Sequence, residues 1–191
     1  ADPIKIEFVV RGYLYGSAWE SYKEGKAICG TKLPSGLRKA EKLPEPILTP
    51  TTKAEIGHDI TMTKDDVIRR IGKNVAKEVE EACLKLYERA SSKAEKNGII
   101  VADTKFEFGF CNGELLLIDE IITPDSSRFW PSEKYEVGRN QFSFDKQYVR
   151  DYLESLDWNK QPPAPNLPDN VILETSKKYI EAYERLTGRK F

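Results

Sequence analysis

Cysteine is scarce in this 191-residue chain. There are three, Cys29, Cys83 and Cys111, odd in number and with no C-x-x-C pair. That excludes a disulfide framework and a cysteine zinc site, and leaves free thiols in a reducing, cytoplasmic compartment. Histidine is scarcer still: His58 is alone, so no multi-histidine metal centre can be built. Long apolar runs are missing; stretches such as Leu115 to Ile118 are far too short to cross a bilayer. No signal peptide is expected at the start of the sequence. Charge of one sign is not in excess either. Lys plus Arg number 30 and Asp plus Glu 31, a net charge of −1. A nucleic acid or a membrane surface held by bulk positive charge is therefore not expected, although a local basic pocket for a phosphate stays open. No Walker loop, Gly-x-Gly-x-x-Gly, Gly-x-Ser-x-Gly or His-Glu-x-x-His occurs, so the common ATPase, Rossmann, hydrolase and zinc-protease templates gain nothing.

What is present is an ordinary globular composition, 39% hydrophobic and 32% charged, sufficient for one substantial domain. Ile4, Ile6, Phe8 and Val10 alternate with Lys5, Glu7 and Val9, which predicts a strand over 4–10. A chain that opens inside a strand reads as a fragment. A short helix is expected over 18–24 and another strand over 26–33. From Pro34 to Asp59, four prolines with Gly36 and Gly57 argue against long regular elements and for a loop, functional or disordered. Thr63 followed by Asp65 and Asp66 marks a helix start. Val75, Val79, Ala82, Cys83, Leu86 and Ala90 give a helical period over about 74–96, whose charges are a solvated face. Strands over 99–110 and 114–120 flank Asn112-Gly113, a strong hairpin signal. Thr123 to Trp130 reads as a polar loop, and helices follow over 145–156 and 170–187. The fold class is α+β, an α/β two-layer arrangement with an antiparallel sheet flanked by helices.

The hairpin carries the chemistry. Alternation puts Asp103, Lys105 and Glu107 on one face, and Ala102, Thr104, Phe106 and Phe108 on the other. A charged sheet face open to water is the ordinary reading of that pattern. A three-residue loop would bring Asp119 opposite Lys105; a two-residue loop would bring Glu120 instead. Either register sets two carboxylates near a lysine, a donor set suited to Mg²⁺ and phosphates. Asp125, Ser126, Ser127 and Arg128 follow the hairpin and could hold a phosphate, or form an ordinary Asp/Ser turn. Arg11 and Ser17 bracket a glycine loop at a strand end. Lys146 and Arg150 lie one helical turn apart, an anion clamp or a solvated face.

Taken in order, several segments resemble one family. They are Glu7-Phe8-Val9-Val10-Arg11 through Gly16-Ser17, Leu43-Pro44-Glu45-Pro46, Thr49-Pro50-Thr51-Thr52-Lys53 and Gly57-His58-Asp59. Val101-Ala102-Asp103-Thr104-Lys105-Phe106-Glu107-Phe108-Gly109, Leu117-Ile118-Asp119-Glu120, Thr123 to Pro131 and Ser143-Phe144-Asp145-Lys146-Gln147 complete the set. Together they are similar to the SAICAR synthetases, and the likeness spans nearly the whole chain. It implies a SAICAR synthase-like fold with an ATP-grasp-like C-terminal domain. It also implies a ligase of purine biosynthesis that joins L-aspartate to the carboxylate of the imidazole ribonucleotide CAIR, using ATP and Mg²⁺ through an acyl phosphate.

By motif position, Glu107 and Asp119 would manage Mg²⁺ and ATP, with Glu7 beside the nucleotide. Lys105 would touch the nucleotide or the reacting carboxylate. Arg11, Ser17 and Arg128 would hold the ribonucleotide phosphate, Asp125 its ribose or ring, and Lys146 and Arg150 further anionic groups. Lys53, His58 and Asp59 belong to the loop expected to bind aspartate or the imidazole carboxylate. The family's N-terminal ATP-binding lobe has no match here. Residues 1–17 are thus expected to be the end of that lobe and a hinge, residues 18–191 the catalytic and substrate-binding domain with C-terminal helices, and the chain alone inactive or nearly so. Another Mg-ATP-dependent carboxylate–amine ligase or phosphotransferase, or a non-catalytic binding fragment, are the competing readings. A homo-oligomer is left open.

Overall fold

A computed structural model describes residues 1–53, 60–119, 121–144 and 146–191. The elements run β1 (Asp2–Pro3), β2 (Ile6–Tyr13), α1 (Ser17–Lys23), β3 (Lys42–Thr52), α2 (Lys64–Ile71), α3 (Lys73–Glu95), β4 (Ile99–Phe106), β5 (Phe108–Cys111), β6 (Glu114–Leu117), β7 (Ser127–Pro131), α4 (Gln147–Glu154) and α5 (Asp169–Thr187). They form an antiparallel four-stranded sheet of order β3-β2-β4-β7 and a small three-stranded sheet of order β1-β5-β6. The α+β class holds.

The alternation in β2 decides its orientation. Ile6, Phe8 and Val10 are fully buried, and they pack with Ala76, Val79 and Cys83 of α3, Val101 and Phe106 of β4, and Phe129 of β7. Each such apolar side chain contributes about 1.5–3 kcal/mol by leaving water. Burial raises the Cys83 thiol to about 12, so it is an unreactive core residue. All three cysteines are free. The opposite face of β2 is left to Glu7, Val9 and Arg11. The α2 start is as expected: Thr63 Oγ1 accepts from the Asp66 N–H at 3.2 Å, and Asp66 accepts from the Thr63 N–H at 2.8 Å.

Three expectations fail for physical reasons. The proline-rich stretch contains an 11-residue strand, β3. It survives because it lies at the sheet edge. The Pro50 carbonyl accepts from the Met62 N–H on the outer side, so the proline nitrogen also faces away from β2. Pro44 and Pro46 fall where the β2–β3 ladder is irregular, between the pairs Tyr13–Lys42 and Arg11–Ile47. Residues 26–33 supply only one isolated bridge, Ile28 with Thr31, as the glycine-rich loop turns back too soon to form a ladder. The polar segment after the hairpin ends in strand β7, whose Phe129 and Trp130 are buried.

The hairpin strand is also not continuous. It passes from one sheet to the other at Glu107, between β4 and β5. Asn112 and Gly113 both have positive φ (53° and 84°) and form the two-residue turn that pairs Cys111 with Glu114. Within β4 the ladder to β7 shifts between Val101 and Asp103. Ala102 accordingly packs with Ile100, Tyr13 and Trp130, not with Phe106.

Candidate functional site

On the polar face of the large sheet lies an open cavity of about 290 Å³, lined by residues of β2, β4, β7 and α4. Its two ends differ in charge.

At one end, strand register sets Arg11, Asp103 and Arg128 abreast on β2, β4 and β7. Arg11 Nη1 donates to Asp103 Oδ2 at 3.1 Å, and Arg128 Nη1 donates to the same oxygen at 2.7 Å. Arg11 is 8% exposed and Asp103 4%. The other arginine nitrogens are also engaged: Nε donates to Thr49 Oγ1 at 3.0 Å and Nη2 to Ser17 Oγ at 3.2 Å. Burial lowers the Arg11 pKa and the Arg128 charge adds to this, against the pull of Asp103. An arginine still remains charged under these conditions. The Arg128 guanidinium lies over the Tyr15 ring, 5.7 Å from its centroid, and against Gly16. A Cβ at Gly16 would come 2.9 Å from Arg128 Nη2, and φ there is +59°, so glycine is needed for both reasons. Ser127 Oγ donates to Thr104 Oγ1 at 2.8 Å, and the Thr123–Ser126 turn holds Ser126 at the cavity edge. Lys146 Nζ donates to Asp125 Oδ1 at 2.9 Å, and Arg150, one turn along, lines the same cavity.

At the other end, Lys105 is the centre. Its Nζ lies 3.1 Å from Glu7 Oε1, 3.1 Å from Glu107 Oε1 and 3.7 Å from Asp119 Oδ2. Glu107 is 4% exposed and its second oxygen accepts from Lys53 Nζ. Burial alone would lower the Lys105 pKa, but the hydrogen bonds and charges of Glu107 and Glu7 outweigh it and raise the value. Burial likewise opposes the Glu107 carboxylate, and the two lysines outweigh that and lower its pKa. Glu7, Glu107 and Asp119 are hard oxygen donors around one ammonium. That suits a divalent cation bound through one or two carboxylates and completed by phosphates and water. Among the described residues, no cluster of three or more side chains forms a metal site by itself.

The expected face of Asp103, Lys105 and Glu107 is therefore real, yet it is not open to water: Asp103 and Glu107 are buried. Asp119 reaches Lys105, although not by ladder register. The strand breaks at Glu107, whose carbonyl accepts from the Ile118 N–H at 3.0 Å, and this turns Asp119 inward. Glu120, His58 and Asp59 lie outside the described residues. Lys53, expected in the loop that binds aspartate or the imidazole carboxylate, contacts Glu107. Thr49 and Tyr15 carry no sequence signal as site residues, and Asp103 is on the expected face without an assigned role. Alternation alone had already put Asp103 on the charged face, but its partner Arg11 is 92 positions away.

The fold and the cavity define an α+β protein with one buried, charge-lined sheet face. The chain belongs to the SAICAR synthetase family, whose model matches residues 1–165. It is 55% identical over 188 residues to a phosphoribosylaminoimidazole-succinocarboxamide synthase of Desulfosudis oleivorans, covering 98% of this chain and 64% of that protein. Its counterpart in Thermodesulfovibrio yellowstonii is 53% identical, with the same coverage. Among solved structures, a SAICAR-synthase from Saccharomyces cerevisiae complexed with SAICAR matches with TM-score 0.89 and 42% identity, over all of this chain and 62% of that one. A SAICAR synthetase in complex with ADP matches with TM-score 0.70 and 29% identity, over all of this chain and 66% of that one. The chain thus spans about two thirds of the length of these relatives. No helix among the described residues is long and apolar enough to cross a membrane.

Proposed function

We propose that this chain carries the substrate-binding and much of the catalytic machinery of a cytoplasmic, ATP-dependent ligase that joins CAIR to L-aspartate, giving SAICAR, ADP and phosphate. The observation that carries the reading is the cavity itself. An arginine pocket with an excess of positive charge adjoins, on one sheet face, a lysine ringed by carboxylates.

In this reading Arg11, Ser17 and Arg128 hold the ribonucleotide phosphate, and Asp103 keeps the two guanidiniums convergent. Asp125 meets the ribose or ring, and Lys146 and Arg150 meet further anionic groups. The CAIR carboxylate attacks the terminal phosphoryl group of ATP, releasing ADP and forming an acyl phosphate. The aspartate amine then attacks the acyl carbon, phosphate leaves, the amide forms and the nitrogen gives up a proton. Lys105 offsets the charge that builds on the phosphoryl oxygens or the reacting carboxylate. Glu107 and Asp119 would hold Mg²⁺, with Glu7 beside the nucleotide; the ion would neutralise the ATP phosphates. Lys53, with His58 and Asp59 beyond it, would lie close to the reacting carboxylate or the aspartate.

The remaining third of the relatives' length would supply the other wall of the nucleotide site. Residues 1–17 would lead from that lobe into the domain of residues 18–191, though β2 is built into the domain's own sheet. The deciding experiment is an assay of the intact protein with CAIR, aspartate and ATP. ADP release that depends on both other substrates, with SAICAR formed, is expected. ADP release indifferent to CAIR would overturn the reading. The 191 residues alone are expected to show no turnover.

A further inference from the structure

Tyr87 projects from α3 on the face of the sheet opposite the cavity, yet it ends beside the arginine pocket's backbone. Its buried hydroxyl donates to the Val101 carbonyl at 2.7 Å. It reaches there only because residue 12 is glycine: a Cβ on Gly12 would lie 1.9 Å from the Tyr87 oxygen. Here φ is not the issue; space is.

The location is informative. The β2–β4 ladder ends at the pair Arg11–Asp103. Immediately beyond it, β2 is irregular against β3 between Arg11 and Tyr13, and β4 shifts against β7 between Val101 and Asp103. Two irregularities thus meet at one spot, and the Val101 carbonyl there has no paired residue on β2. A buried carbonyl needs a partner, and Tyr87 provides it from the next layer. The next side chain along β4 on the cavity side is Asp103, whose single oxygen receives both arginines at 3.1 and 2.7 Å. Such a convergence tolerates little movement, since a shift of about 1 Å would take either contact beyond hydrogen-bonding range. Burial raises the Tyr87 pKa, which keeps the hydroxyl a donor.

We propose that Tyr87 is a positioning residue for the phosphate-binding pocket: through the gap at Gly12 it pins β4 at Val101, where its ladder to β2 stops, so that Asp103 can hold Arg11 and Arg128 together. The inference rests on the assignment of that pocket to the ribonucleotide phosphate. Its test uses the intact protein and two variants. Y87F removes only the oxygen, and G12A keeps Tyr87 but collides with it. Each is expected to raise KM for CAIR roughly tenfold, the scale of one well-placed hydrogen bond. KM for ATP and for aspartate should stay within about twofold of the parent. 4-Aminophenylalanine at position 87, which restores a donor, should bring KM for CAIR back. Equal changes in all three constants, no change in any, or loss of folding in both variants would overturn the proposal, because the contact would then serve the fold alone. R128K is run in parallel. If it leaves KM for CAIR unmoved, the pocket assignment has failed; if it raises KM while Y87F and G12A do not, only the role of Tyr87 has.

Discussion

The two ends of the cavity are built from the same residue types by opposite rules. At the arginine end, four cations (Arg11, Arg128, Lys146, Arg150) face two carboxylates, Asp103 and Asp125. At the lysine end, two cations, Lys105 and Lys53, face three carboxylates, Glu7, Glu107 and Asp119. One end therefore calls for an anion and the other for a cation or a cation-bearing ligand. They differ in rigidity as well. Every Arg11 nitrogen has a fixed partner on β3, β4 or α1, and the planar fork of a guanidinium suits such triangulation. The lysine end depends on flexible ammonium groups, one of them half exposed. A pocket for a constant group such as a phosphate gains from rigidity. A site where charge moves during reaction gains from groups that can follow it.

The comparison is most easily broken at Asp103. D103A would leave Arg11 buried beside Arg128 with no carboxylate between them. Loss of one member of a buried pair costs about 3–5 kcal/mol. Denaturant unfolding should show a loss of that size; a change below about 1 kcal/mol would mean that the arginine end is no more preformed than a surface pair. The next largest effect belongs to E107Q at the lysine end. Its kcat in the intact protein should fall about 10²–10³-fold, the scale for loss of one preorganised electrostatic group. Because Glu107 is buried between two lysines, E107Q should also lower stability by about 1–3 kcal/mol. A variant with full turnover would remove Glu107 from the chemistry and favour a binding module.

The legible parts of this site are those that depend on local pattern. The alternation in β2 separates Ile6, Phe8 and Val10 from Glu7 and Arg11 without knowledge of any partner strand. The Thr63 cap and the turn at Asn112-Gly113 carry their own backbone chemistry. What stayed hidden depends on neighbours distant in sequence. Pro44, Pro46 and Pro50 argue against a strand unless it is known to lie at an edge. Ser127 and Arg128 look like loop residues until β4 is known to run beside them. The break at Glu107 cannot be inferred from alternation, because alternation continues across it while the strand changes sheet. The ladder that would set Asp119 or Glu120 opposite Lys105 does not extend so far; the Asp119 contact exists because the chain turns there. Most of the site's residue types were readable, then, whereas the pairing of Arg11 with Asp103 needed the sheet.

Acid sharpens the comparison further. The Glu107 pKa is held below its ordinary value near 4.5, because the two lysines outweigh its burial. A carboxylate whose pKa falls on folding contributes stability that is present above the unfolded value. That stability is lost as pH drops through the folded value. Lys105 is the converse: its pKa is raised above the ordinary 10.5, so its contribution is present below that and is lost as pH climbs through the raised value. The lysine end should thus be most stable between these limits. Melting curves taken from pH 6 downward should lose stability below about 4.5, and E107Q should lose less over the same range. Equal acid slopes in parent and variant would show that Glu107 does not carry this dependence.

The smallest expected effect lies at the arginine end's own margin. Lys146 and Asp125 form an ion pair whose side chains are 40% and 53% exposed, unlike the buried Arg11–Asp103 pair that lines the same cavity. Exposed pairs are screened and pay side-chain entropy, so K146A should change stability by less than about 1 kcal/mol. If Lys146 serves the ligand, removing it should still raise KM for CAIR, by a few-fold, and the increase should shrink as salt is added. Arg11 and Arg128, less exposed to solvent than Lys146, should show a weaker salt dependence in the same assay. A K146A protein with unaltered KM at low salt would confine the anion pocket to Arg11 and Arg128 and leave Lys146 and Arg150 as a solvated helix face.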